Sequence, residues 1–180
     1  MKFLLTILLL FTITACSDKG AGSSVPNDYT KNITEIGCDL NKTPPSFKCV
    51  LSDNTIFELS NQRGKVVLLD FWAVWCPYCN YSRPTLKNIH KEFLDEPDFV
   101  MLGISVNDKI EKWQEYIIEK ELVWLQTQNS PNLGVDPKTL FCVEGIPTVI
   151  ILDKWGVIRG KINPTNTEII SQKIKELLAE

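Results

Sequence analysis

The sequence predicts an α/β domain with a central mixed sheet, helices on both faces and a β-hairpin extension in front. Three observations carry this. From residue 43 onward, short apolar runs bounded by polar turns alternate with segments whose apolar residues recur at helical spacing. Residues 47–51 and 55–59 flank Ser52-Asp53-Asn54, a turn cluster, so a hairpin precedes the first long strand. Residues 148–152 and 157–162 flank Asp153-Lys154-Trp155-Gly156, which reads as a second hairpin with glycine at the end of its turn.

The elements follow in order. Residues 65–72 (KVVLLDFW) form a continuous apolar run, the pattern of a strand buried on both faces. A helix is expected from Pro77 to about Phe93, with Leu86, Ile89 and Phe93 on its inner face. Residues 99–106 (FVMLGISV) read as a second buried strand. Ile110, Trp113 and Ile117 mark the next helix, with Asn107 expected as its cap. Residues 123–126 suggest a short strand. Thr165-x-x-Glu168 reads as a capping box for a last helix whose apolar face is Ile170, Ile174, Leu177 and Leu178.

The chain has 180 residues, enough for one domain plus a targeting segment. Its 44% hydrophobic residues can build a core, and its net charge of −3 argues against nucleic acid as a partner. Lys2 and the apolar residues 3–13 resemble a secretory signal, too short for a comfortable membrane span. Ile13-Thr14-Ala15 before Cys16 resembles the lipobox of bacterial lipoproteins, which implies cleavage, lipidation of Cys16 and attachment to a membrane. An ordinary signal cut near Ala15, or an uncleaved anchor, is the alternative. The expected organisation is a signal over residues 1–15, a lipid-anchored tether and extension over 16–42, and the domain over 43–180. The expected location is the cell envelope, facing the extracytoplasmic, periplasmic side. Six cysteines against one histidine fit an oxidising compartment or a dedicated thiol chemistry.

Trp75-Cys76-Pro77-Tyr78-Cys79 stands where a buried strand ends and a helix begins. A helix N-terminus offers free N–H groups and partial positive charge, which stabilises a thiolate at Cys76. Pro77 suits the first helical turn. Three-residue spacing puts Cys79 on the same side, close enough for a disulfide but deeper. A CxxC is also half a zinc site, yet neither His90 nor the other cysteines have the spacing to complete one. No metal and no cofactor are expected.

With these residues in place, LLDFWAVWCPYC, Pro84 and GIPTVIILD resemble thioredoxin. The run from Gly64 to Cys76, the preceding hairpin and the signal look more like the membrane-anchored TlpA/ResA-type branch. The resemblance covers about residues 43–180 and implies a thioredoxin-like fold. It implies that Cys76 attacks, Cys79 resolves, and Asp70 is a buried acid that takes the proton of the resolving cysteine. It matches Pro147 to a cis-proline facing the CxxC, Ile146 to the backbone that pairs with substrate, and Trp75 to the flanking aromatic. Pro84 matches a helix-kinking proline. One departure stands out: Pro77-Tyr78 is the dipeptide of glutaredoxins, so the direction of electron flow stays open.

Cys38 and Cys49, eleven residues apart around Pro44-Pro45, are expected to form a structural disulfide. Cys142 reads as an inert buried thiol, with pairing to Cys38 or Cys49, or a third redox thiol, as alternatives. His90 reads as a solvent-facing helix residue. The leading function is reduction of disulfides in client proteins of the envelope, apocytochrome c among the candidates, with electrons from a membrane partner. A disulfide oxidase or isomerase with the same site, and a redox-inert binding or metal-delivery lipoprotein, are the alternatives.

Overall fold

The computed structural model describes residues 35–128 and 136–180. The expected signal, Cys16 and most of the expected tether lie outside these residues. Among the described residues, no helix is long and apolar enough to cross a membrane.

The long strand β3 (Val66–Trp72) is buried at every position, and that explains its uninterrupted apolar run. It is the centre of the main sheet. β4 (Phe99–Ser105) lies parallel to it on one side, and β6 (Thr148–Leu152) antiparallel on the other. β5 (Leu125–Gln128) pairs parallel with β4, and β7 (Ile158–Ile162) antiparallel with β6. The order is therefore β5-β4-β3-β6-β7, a mixed sheet as expected. β5 begins two residues later than the sequence pattern suggested. The hairpin of β1 (Lys48–Val50) and β2 (Ile56–Glu58) forms a small sheet of its own.

Alternation along the strands sorts the core into two layers. On one face, Val66, Leu68 and Trp72 of β3 pack under three helices: α1 (Pro77–Glu92), α2 (Ile110–Glu119) and α4 (Thr167–Leu178). Both β3-α1-β4 and β4-α2-β5 run the same way across the sheet, so right-handed crossovers put α1 and α2 on one side. The other face, with Val67, Leu69 and Phe71, is covered by the hairpin, a 3-10 turn (Leu59–Gln62) and the short α3 (Pro137–Leu140). Helices cover both faces, unequally.

Both sheet edges are partly covered. Ser52 N–H donates to Gln126 O (2.8 Å) and Thr127 Oγ1 donates to Val50 O (2.7 Å), so the hairpin docks on β5. On the far edge, Asn41 N–H donates to Ile158 O (2.8 Å) and Ile158 N–H to Lys42 O (2.9 Å). Where they are covered, the edges offer fewer free backbone groups to another chain.

Two expected caps are corrected. Asn107 does not cap α2: it takes a left-handed φ of 56°, and the N-cap position falls on Lys109, without a side-chain bond. For α4 the cap is Asn166, whose Oδ1 accepts from Glu168 N (2.9 Å) and Ile169 N (3.2 Å), so the Thr165-Glu168 box does not form.

The expected Cys38–Cys49 disulfide is also corrected. Cys38 pairs with Cys142, with Cα atoms 5.7 Å apart and 104 residues between them in sequence. The extension runs along β7, which brings Cys38 to the loop before β6. Cys49 points inward from β1 between two exposed neighbours and is a free, buried thiol. Burial pushes its pKa up, with Thr127 acting weakly against that.

Candidate active site

The end of β3 and the start of α1 fix the reactive pair. Trp72 O accepts from Val106 N (2.7 Å), tying β3 to the end of β4. Asp108 Oδ2 accepts from Val74 N (2.8 Å) and from Ser105 Oγ (2.6 Å), which holds the loop leading to Cys76 against the β4–α2 loop. Cys76 is the N-cap of α1, and its Sγ accepts from Cys79 N at 3.1 Å. A sulfur is doing what a Ser or Asp oxygen does at other helix starts, so negative charge on it meets a free N–H and the positive end of the helix. Pro77 follows at the first helical position, where no N–H is needed. Cys76 and Cys79 form a disulfide, with Cα atoms 5.3 Å apart.

The β3–β6 register sets the opposite wall. Phe71 pairs with Thr148, so residues just before Thr148 fall beside residues just after Phe71. This places Ile146 O 3.9 Å from Cys76 Sγ. The Ile146–Pro147 peptide bond is cis. Both cysteines are buried, yet the surface around them is aromatic: Trp75, Tyr78 and Tyr81 are 60, 76 and 78% exposed. A thiol partner therefore meets an apolar rim before it meets sulfur.

Asp70 lies under this pair on β3 and is fully buried. It shares the inward face of Leu68 and Trp72, below α1. Its Oδ2 accepts from Arg83 Nη1 at 3.3 Å. Arg83, itself 5% exposed, lays its guanidinium 4.5 Å over the Trp72 ring and 5.9 Å from that of Tyr116. Loss of water pushes the Asp70 pKa up to about 6, against the pull of Arg83. The acid thus changes charge near neutral pH.

The structure brings Cys76, Cys79, Asp70, Ile146 and Pro147 to one end of the sheet, with Trp75 on the rim. His90 stands apart at the far end of α1, partly buried against Trp124 at 5.6 Å, and its pKa is lowered by that burial. Arg83 is the residue that sequence reasoning missed. Its signal was present: Cys79, Ser82, Arg83, Leu86 and Ile89 are the buried face of α1, and a charge at such a position needs a buried partner.

A family model described as thioredoxin-like matches residues 64–158, more than half of the chain. The thioredoxin-like protein YneN of Bacillus subtilis is 27% identical over 159 residues, 88% of this chain and 87% of that one. The thiol-disulfide oxidoreductase ResA of Geobacillus thermodenitrificans is 26% identical, covering 96% of this chain and 93% of its own. A thiol-disulfide oxidoreductase structure from Bacteroides fragilis superposes with a TM-score of 0.66 at 29% identity, over 76% of this chain and 99% of that one. With its CxxC at the head of α1 and the matched segment running through both walls of the site, the chain belongs to the thioredoxin-like family.

Proposed function

We propose that the protein is a thiol–disulfide oxidoreductase that reduces disulfides in client proteins outside the cytoplasm, held at a membrane by lipid on Cys16. The observation that carries this is Cys76 as a sulfur N-cap, with Cys79 behind it and a buried acid below. In the reduced protein the Cys76 thiolate attacks one sulfur of a client disulfide. A mixed disulfide forms, and the other client sulfur leaves as a thiolate and takes a proton. Asp70 accepts the proton of the Cys79 thiol, and the resulting thiolate attacks Cys76 Sγ. The client's second thiolate leaves, and the Cys76–Cys79 disulfide closes. Two electrons have passed to the client. A membrane dithiol partner then reduces the pair again.

Trp75 and the backbone of Ile146 beside Pro147 hold the client chain during the exchange. The Cys38–Cys142 disulfide supports an extracytoplasmic location, because such bonds persist where thiols are not kept reduced. The names of ResA and YneN support the chemistry. The Pro77-Tyr78 dipeptide favours a second reading, a disulfide oxidase or isomerase, since glutaredoxins carry it and sit at higher potential than thioredoxin. The test is Cys79→Ser in cells that make the protein. Client proteins accumulate as mixed disulfides on Cys76 if exchange is the function; a variant that captures nothing overturns it.

A further inference from the structure

Asp70, Gly103 and Gln126 stand in a row across three strands: Asp70 is in register with Gly103, and Gly103 with Gln126. All three share the face below α1 and α2, as their neighbours two residues away, Leu68, Met101 and Trp124, all lie in that core layer. The outer two backbones are roughly 10 Å apart, twice the strand spacing of about 4.8 Å. A side chain at the middle position would separate them. Gly103 has none, and the Gln126 carboxamide fills the space where its Cβ would stand. Gln126 therefore leans across β4 toward Asp70.

The groups that meet there have hydrogen-bonding capacity left over. Gln126 is 1% exposed, and neither Oε1 nor Nε2 has a partner. Asp70 Oδ1 has none, and neither do Arg83 Nε and Nη2. Buried polar groups left this way are costly and call for an account. These are complementary: Arg83 has donors to spare, Oε1 and Oδ1 are the acceptors, and Nε2 is a donor for Oδ1. A rotation of the carboxamide or a bridging water would be needed to join them.

We propose that Gln126 is a positioning residue for Asp70, its Oε1 accepting from Arg83 while its Nε2 donates to Asp70 Oδ1, so that the acid is held in its proton-accepting, ionised form. This rests on the role given to Asp70 above. It puts control of the resolving step on a strand two places from the redox pair. Among the described residues, Arg83 bonds Asp70, and the other titratable groups of the same core layer are Cys76 and Cys79 at the head of α1 and Tyr116 of α2. β4, β5 and β6 present Gly103, Gln126 and Val149, and α4 presents Ile170 and Ile174, all without charge. An amide here tunes the acid without competing for its proton.

The test follows the full-length protein with Cys16→Ser, its Cys38–Cys142 disulfide kept closed and only the Cys76–Cys79 pair reduced, using 5,5'-dithiobis(2-nitrobenzoate) by stopped flow. The first coloured thiolate reports attack by Cys76, and the second reports resolution by Cys79. Gln126→Leu keeps the volume and removes both polar atoms; Gly103→Ala pushes the carboxamide away and serves as the second variant. Losing one bond to a charged group should move the pH midpoint of the second phase up by about one unit, roughly tenfold slower below it. The first phase should not change. The Asp70 carboxyl carbon, followed by NMR in the oxidised protein, should shift its midpoint in the same direction. If Asp70→Asn flattens the second phase while both other variants, folded, keep the native midpoints, the role of Gln126 is overturned and that of Asp70 stands. If Asp70→Asn leaves the profile native, the role of Asp70 falls, and the proposal with it.

Discussion

Asp70→Asn keeps the shape of the side chain and removes its charge, so it isolates the cost of a buried carboxylate. Burial raises the group from 3.8 in the unfolded chain to about 6 in the fold. The folded state therefore binds the proton more tightly. Stability from this group is full below pH 3.8 and is lost as pH rises through 6. A shift of about two units at 1.36 kcal/mol each makes the whole loss about 3 kcal/mol, of which about 2 falls between pH 4.5 and 7.5. The variant has no such loss. It also leaves Arg83 without its carboxylate, which shifts its stability by an offset, but the offset does not follow the Asp70 titration. The oxidised proteins should be unfolded in guanidinium chloride at both pH values, with tryptophan fluorescence as the signal. Relative to the variant, the native chain should weaken by about 2 kcal/mol on going from pH 4.5 to 7.5. A gap that stays constant across this range would refute an Asp70 that titrates near neutrality.

Cys38→Ser with Cys142→Ser opens a loop of 104 residues, and the chain-entropy model gives a loss of about 4–5 kcal/mol in denaturant unfolding. In the oxidised domain lacking Cys16, an alkylating agent should find no thiol until the chain is unfolded, and then one, at Cys49; mass spectrometry after labelling checks this. Leu69→Ala, at a fully buried site in the centre of β3, should cost about 2–5 kcal/mol while the surviving folded fraction keeps its exchange chemistry.

What the sequence could show depended on how local the cause was. β3 was legible because a strand buried on both faces must be apolar throughout, and the start of α1 because Pro77 and the CxxC both belong at a helix N-terminus. The four residues of α3 carry no period to read. Thr165 and Asn166 are both good caps, and only the turn geometry chose between them. The Cys38–Cys142 bond depends on the extension running along β7, through backbone bonds of Asn41 and Lys42 that no side chain announces. At the site, the cysteines and Asp70 were visible as residue types in a spacing. Gln126 was not, because a polar residue in an edge strand reads as solvent-facing until the fold covers it, and Arg83 was legible only through its place three residues before Leu86 on the inner face of α1.

The central claim is that Cys76 and Cys79 form a reducing pair. The direct test is a titration of that pair in thiol–disulfide buffers, with thiol trapping and mass mapping to separate it from Cys38–Cys142. A reversible two-electron transition with a midpoint below about −240 mV is the predicted result, since such a pair gives electrons to client disulfides. A midpoint of about −120 to −180 mV would contradict it and make the protein an oxidase or isomerase. The absence of any reversible transition would contradict redox catalysis at this site altogether.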